Sequence, residues 1–420
     1  MAPDDLAPVI APPTSPRPTD PALRLLALLA LVAALTAIVV ALTHPLGDGF
    51  DERAHYSYVR AMAADPTLWP DHETLRLLAG EALTWSDQPN YLAHPPLYHL
   101  LAAPLSALTP GDPRLLRLLD GALVTAGLVL AGLGGLARIA DPLARILFVA
   151  TLFGLPVTIG VAGLVNNDAL MIAEIGALVF LLGRDRAPPW AIALLLAALG
   201  WTKLTGFVAG ATAVGLLRLA AVAEGRARLV SAETALIAAG LLVGLAPLVV
   251  TWVQFGRPIW MPAAFPDWFD AVPPADRAGL GLVDFARLYL DHLGRRLPYR
   301  AETFHGGAIL IGVFLAAATA LLPTGRPGPD RTLARVGLLT TIAFVALHFV
   351  HAWASARNQG ILTDLQTRYL AAIWPFLAVA VAVGLANLPP WPRRIAAALH
   401  LAALLAISVV GAAAFRLVGG

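Results

Sequence analysis

Apolar residues run on along most of this chain for the length of a bilayer crossing, and polar residues collect in the gaps between. A spanning helix needs roughly 20 mostly apolar residues. About eleven segments fit, near 25–42, 114–137, 144–164, 169–183, 189–202, 204–220, 232–254, 306–322, 335–353, 369–387 and 395–414. The pattern predicts an all-α polytopic membrane protein. Residues 23–420 form one integral domain, behind a tail over 1–22 whose Pro, Asp and Thr content predicts disorder. The apolar stretch 95–108 is too short to cross with ease and reads as a juxtamembrane helix. Between Leu282 and Leu297 the period changes. Phe285, Leu288, Tyr289 and Leu293 share one helical face with Arg287, Asp291 and Arg295 elsewhere, the pattern of an amphipathic helix lying on a membrane.

Arginines orient the spans. Arg17 and Arg24 precede the first, which has neither the short core nor the cleavage site of a signal peptide, so it reads as an uncleaved anchor with the tail in the cytoplasm. With the segment 95–108 kept outside, Arg138, Arg145, Arg184, Arg186, Arg218, Arg226, Arg228, Arg326, Arg331, Arg335, Arg393 and Arg394 fall on the cytoplasmic side. Four polar islands then face outward. They are a first large loop over 44–94, Asn166-Asn167-Asp168, a second large loop over 255–304, and the segment 354–368.

Composition narrows the function classes. A length of 420 residues suggests two or three soluble domains, but 58% hydrophobic content, 13% charge and a mean hydropathy of +0.73 overrule that. A net charge of +2 and the lack of basic stretches interleaved with aromatics argue against nucleic acid as a partner. Cysteine is absent, so there is no thiolate chemistry. Neither a Walker loop nor GxGxxG occurs. A transporter or flippase would place ionisable residues along a path through the membrane. The predicted spans are nearly free of charge, Glu174 and Glu233 being the near exceptions, and no internal repeat is visible.

The chemistry-bearing residues lie in the islands, apart from Lys203 between two spans. The first loop carries Asp48, Asp51, Glu52, Asp65, Asp71, Glu73, Glu81 and Asp87 against Arg53, Arg60 and Arg76. Such acids either keep a loop wet or equip a site. Asp51 and His55, four apart, would share a helical face, as a general acid–base pair can. Asn166, Asn167 and Asp168 suit a helix start, and Asp168 would also face the acidic loop. Lys203, the one lysine, either snorkels to the outer interface beside Trp201 or meets a lipid phosphate. Glu302 and His305, three apart, could ligate a metal. Arg368 stands at the outer start of a span, where the helix dipole disfavours a cation. It therefore needs a partner, either an acid or headgroup phosphate, or the phosphate of a lipid-linked substrate.

The pieces FDERAHYSYV, HPPLYHLLAAPL, GLVNNDAL, GWTKLTG, ETFHGG and QTRYLAAIWPFL, in this order over residues 50–376, resemble the GT-C class of membrane glycosyltransferases. The likeness is to the branch of protein O-mannosyltransferases, lipid A aminoarabinose transferases and DUF2142 proteins. The resemblance implies a GT-C-like bundle with amphipathic helices in the first outer loop and a donor sugar on a polyprenyl phosphate. It implies outer-face chemistry in an inner or plasma membrane, probed from the extracytoplasmic side. Asp51 corresponds to the family's base, with Glu52 beside it, and Asp168 to its second acid. Arg368, Lys203, His94, Tyr98 and Asn167 become candidates for substrate and phosphate binding. His94 and the late Pro375 depart from the family pattern. Some relatives use a divalent metal, which makes His55, Glu302 and His305 candidate ligands. The acceptor would be a glycan, lipid or protein, with membrane lipids as further partners. The alternative readings are a transporter or flippase, or a non-catalytic binder of lipid-linked glycans.

Overall fold

The computed structural model describes residues 20–47, 51–80, 82–184, 186–256, 272–277, 279–296, 306–322, 329–360, 362 and 366–418. The tail over 1–19, the WMPAAFPDWFD stretch, and Glu302 and His305 lie outside the described residues. Helix α1 (Pro21–Thr43) begins where the Asp20 carboxylate accepts a bond from the Ala22 amide, with Pro21 in the first turn. Its buried stripe is small: Ala22, Leu26, Ala30, Ala33 and Ala37. That stripe lets α4 (Arg114–Leu136) approach closely. Leu28, Leu31, Leu35 and Val39 on the other side are exposed, as lipid-facing residues should be.

After α1 the chain forms α2 (Glu52–Ala64), an antiparallel hairpin of β1 (Arg76–Ala79) and β2 (Thr84–Pro89), and α3 (Leu97–Leu108). Leu78 pairs with Trp85 and Ala79 with Thr84. This hairpin has no counterpart in the sequence expectation. It is pinned to α2 by the Leu78 amide donating to Ser57 Oγ at 2.8 Å and Asn90 Nδ2 donating to the Ala54 carbonyl at 2.9 Å.

The span expected over 144–164 is broken. Helix α5 (Pro142–Phe153) stops at Gly154, and α6 (Pro156–Val161) is short. Pro156 removes an amide donor and disfavours a helical Leu155. The chain then runs non-helically through 162–167 into α7 (Asp168–Leu182), so Asn166 and Asn167 are carried into the interior. Irregular backbone survives at such depth only when its polar groups find partners. The Val165 amide donates to Glu52 Oε1 at 3.0 Å and the Asn166 amide to Asp120 Oδ2 at 3.0 Å. Arg117 and Asp120 both sit within the expected span 114–137, so the spans carry more charge than the pattern suggested.

Helices α4 and α7 touch backbone to backbone. A Cβ placed on Gly176 would come 2.0 Å from the Gly127 carbonyl oxygen, so glycine alone permits this approach. Helices α8 (Pro189–Thr202), α9 (Leu204–Ala223) and α10 (Ala232–Phe255) follow the expected spans closely. A short turn, α11 (Pro274–Arg277), precedes α12 (Leu282–Arg296). The apolar face of α12 is as expected, but it covers protein rather than membrane. Phe285 packs 5.3 Å from the Phe349 ring, and the Tyr289 hydroxyl lies 2.7 Å from His348 Nδ1.

Helix α13 (Gly307–Ala318) runs into a 3-10 turn at Thr319–Leu321, and α14 (Pro329–Gln359) exceeds the expected 335–353 at both ends. Its end is set by Gly360 in the left-handed conformation, φ 78°. Arg368 does not begin a membrane helix. It lies on a 3-10 turn, Thr367–Ala372, because Pro375 fixes the start of α15 (Trp374–Ala386). Every residue of α15 from Trp374 to Leu385 is buried, which makes this helix the pillar of the bundle. Helix α16 (Pro390–Val418) closes the described chain.

Candidate active site

Asp51 stands at the turn into α2 with φ 55° and ψ 16°. This is the left-handed region, which an L-residue other than Gly, Asn or Asp enters only at a cost. Both carboxylate oxygens are engaged. Oδ1 accepts a bond from the Tyr91 hydroxyl at 3.0 Å, and Oδ2 accepts one from the Arg368 guanidinium. Burial, and after it the nearby Asp51, pushes the Tyr91 phenol far above its ordinary value, so it stays protonated and donates. Arg368 comes from the 3-10 turn before α15, far along the chain, and its side chain is almost wholly buried.

Asp168, at the first turn of α7, supplies the second carboxylate. Its amide donates to Asn166 Oδ1 at 2.8 Å, a local turn that starts the helix. Its Oδ1 lies 2.6 Å from Lys203 Nζ, and its Oδ2 lies 3.9 Å from Arg368 Nη1. Lys203 therefore does not snorkel to the interface. It occupies an extended residue, φ −162° and ψ 131°, between α8 and α9, which turns its side chain inward. Two contacts with α7 hold that break: Thr202 Oγ1 donates to Glu174 Oε1 at 2.9 Å, and Asn167 Nδ2 donates to the Thr202 carbonyl at 3.1 Å. Lys203 Nζ also donates to Asn167 Oδ1 at 3.3 Å. The Tyr369 ring serves both cations, 5.2 Å from Lys203 Nζ and 5.5 Å from Arg368 Cζ. Trp201 meets the Trp69 ring at 4.9 Å and donates to the Val243 carbonyl.

Lys203 and Tyr369 open onto a cavity of about 1100 Å³, its mouth included. Leu68, Trp69, Phe207, Pro247 and Leu248 make much of its wall apolar, while His72, His94, His348 and His351 add polar groups. Arg368 and Asp51 do not line it. The fork of Arg368 and the cation of Lys203 suit an anionic headgroup, and the apolar wall suits a hydrocarbon chain.

The remaining expected site residues part company. Glu52, next to Asp51, is fully buried and turns away from it. Arg117 Nε and Nη2 donate to its two oxygens at 2.6 and 2.7 Å. The same guanidinium reaches the carbonyls of His44 and Pro45, so it ties the end of α1 and the start of α2 to α4. Tyr98 donates to Asp120 Oδ2 at 2.7 Å, away from the cavity. His55 does not turn to Asp51; its Nδ1 lies 3.2 Å from His99 Nε2, and its ring plane is nearly parallel to that of His94 at 5.4 Å. Burial first, then the neighbouring His94 and His99, hold the His55 imidazole well below its ordinary value; burial does the same for His94, with Lys203 next.

Imidazole lone pairs lie in the ring plane, and His55 Nδ1 is already spent on His99, so this group does not aim its donors at one ion. Among the described residues no group of three or more His, Asp or Glu could hold a metal ion. Tyr91, Tyr369, Arg117 and Asp120 are not among the residues that sequence spacing singles out. Arg117 and Asp120 carried a visible signal, as charges three apart inside an apolar run. Tyr369, next to Arg368, had only its adjacency.

No family model and no curated protein matches the chain. Solved structures do. ArnT from Cupriavidus metallidurans bound to undecaprenyl phosphate is similar with a TM-score of 0.53 and 17% identity, over 89% of this chain and 62% of ArnT. The apo state of the same protein gives 0.51 and 17%, over 88% and 61%. The mycobacterial arabinofuranosyltransferase AftD gives 0.47 and 18%, over 93% of this chain and 27% of AftD. The chain thus shares a membrane-protein fold with a solved structure. That fold is ArnT's, and the chain spans 62% of ArnT's length.

Proposed function

We propose that the protein is a membrane glycosyltransferase that moves a sugar from a polyprenyl-phosphate donor to an acceptor hydroxyl at the extracytoplasmic face. The observation that carries this reading is the buried quartet of Asp51, Arg368, Asp168 and Lys203, whose Lys203 lines a largely apolar cavity. The undecaprenyl phosphate held by ArnT, whose fold the chain shares, supports a lipid-phosphate donor. Asp51 takes the proton of the acceptor hydroxyl as its oxygen attacks C1 of the sugar. The C1–O bond to phosphate breaks, and its electron pair leaves with the phosphate. Lys203 and Arg368 stabilise the charge that develops there. Attack opposite the leaving phosphate inverts the anomeric centre. Asp168 fixes Lys203, and Glu52 serves as a positioning residue through Arg117.

The test is release of free polyprenyl phosphate by the full-length protein in liposomes, offered a panel of polyprenyl-phosphate sugars and crude envelope acceptors. Wild type releases it and a folded Asp51→Asn variant does not. Equal release by both would remove Asp51 from the base role.

A further inference from the structure

The transferase reading leaves Asp51 in an odd condition for a base. Oδ2 is occupied by a cation that the donor's phosphate also needs. The quartet holds two cations and two carboxylates, so a phosphate entering it adds negative charge to a balanced, buried cluster. It is accommodated only by taking a cation over from a carboxylate.

We propose that Arg368 is exchanged between base and donor: it masks Asp51 in the resting protein and is drawn off by the phosphate, which leaves Oδ2 to take the acceptor's proton while Tyr91 holds Oδ1. Three observations carry this inference, which rests on the transferase reading. First, Lys203 lines the cavity and Arg368 does not, yet the Tyr369 ring contacts both, so Arg368 is one ring away from a phosphate docked on Lys203. Second, Arg368 has somewhere to go. Asp168 Oδ2 lies 3.9 Å from Nη1 and has no hydrogen-bond partner among the described residues. The guanidinium can settle between Asp168 and the phosphate, using the planar fork that suits two oxyanions at once. Third, Asp51 has a separate tether. Once Arg368 departs, the Tyr91 hydroxyl on Oδ1 still holds the carboxylate and keeps Oδ2 pointed. Tyr91 is thus a positioning residue, and Oδ2 is the oxygen that works.

In the transfer step the acceptor O–H proton goes to Oδ2 and the new O–C1 bond forms. The C1–O bond electrons pass to the phosphate, whose charge then faces Arg368 and Lys203. Departure of the lipid phosphate returns Arg368 to Asp51, and the proton is shed to solvent as the ion pair re-forms.

The exchange predicts that neutralising the base strengthens phosphate binding. Polyprenyl monophosphate would be titrated into detergent-solubilised full-length protein, with inorganic phosphate as the headgroup-only control. Asp51→Asn, or Asp51→Gly if the first variant folds poorly, should bind the lipid phosphate about tenfold more tightly than wild type. In an Arg368→Met background the same change at Asp51 should give no gain. Equal or weaker binding by a folded Asp51 variant would overturn the exchange while leaving the transferase reading in place. No lipid-phosphate binding by wild type or any variant would instead overturn the transferase reading. Tyr91→Phe should lower kcat about tenfold with KM for the donor unchanged, a part of the roughly 10²–10⁴-fold that a general base contributes. A loss confined to KM would overturn the positioning role.

Discussion

Lys203 Nζ stands 2.6 Å from Asp168 Oδ1, and both side chains are withdrawn from solvent. Removing one member of such a pair strands the other charge at low dielectric, at a cost of about 3–5 kcal/mol. Lys203→Met should therefore lower the unfolding free energy in detergent by about that amount. The double variant Lys203→Met with Asp168→Leu should recover most of it and still transfer no sugar. If Lys203→Met unfolds at the wild-type midpoint, the pair contributes nothing.

Asp51 carries its side chain on left-handed backbone. Asn and Gly adopt that conformation readily, whereas β-branched residues do not. All three variants should lose the stability of the ion pair with Arg368, and Asp51→Val should lose about 1–3 kcal/mol more than Asp51→Asn or Asp51→Gly. Thermal unfolding of the three variants separates a backbone penalty from loss of the carboxylate, because all three remove the charge.

Burial lowers His72 to about 4 and His99 to about 3, from an ordinary 6.5. Both are neutral in the folded protein, so below pH 6.5 the unfolded chain binds more protons than the folded one. Stability from these groups is complete above that pH. It falls as the pH drops towards 4 and 3, by about 1.4 kcal/mol per unit for each histidine. Unfolding midpoints between pH 7 and pH 4 should show the decline, and His72→Asn with His99→Gln should flatten it. A slope unchanged in that double variant would show that other groups set the acid limit.

Gly176 and the Gly127 carbonyl leave no room for a side chain. Gly176→Val should push α7 away from α4 and destabilise the protein by at least about 1–3 kcal/mol, the usual cost of overpacking. Because α7 begins with Asp168, transfer should fall as well. Gly215, which has open space around it, is the control site for an alanine substitution.

Much of the bundle was legible because lipid contact requires long apolar runs. The runs at 189–202 and 232–254 match α8 and α10 to within a residue. Where the runs misled, the interior was polar and enclosed by protein. The break between α5 and α7 survives because Glu52 and Asp120 accept its bare amides, and neither acid is near it in sequence. At the site, Asp51, Asp168 and Arg368 stood out in their islands, and Lys203 as the one lysine between two spans. Their pairing was not legible, since Tyr91 lies 40 residues from Asp51 and Arg368 lies 317 away. Local spacing reports which residues share a helix face. It carries nothing about partners brought in by packing, which is why the expected Asp51–His55 pair dissolves into two unrelated contacts. The amphipathic face of α12 was likewise correct, while what covers it depends on where α14 lies.

Asp51 and Glu52 are neighbours in the chain and belong to different working parts. The left-handed turn at Asp51 precedes the helical Glu52, and one carboxylate faces Arg368 while the other is clasped by Arg117 on α4. Asp51 is therefore tied to the bundle through its chain neighbour. Any slippage of α2 against the bundle must first release Glu52 from Arg117 and from the Val165 amide. Those same contacts set the end of α1 and the approach to α7. The turn at Asp51 is mechanically an outgrowth of α4, and the distance from Asp51 to Asp168 is gauged by a helix that contributes no side chain to the quartet.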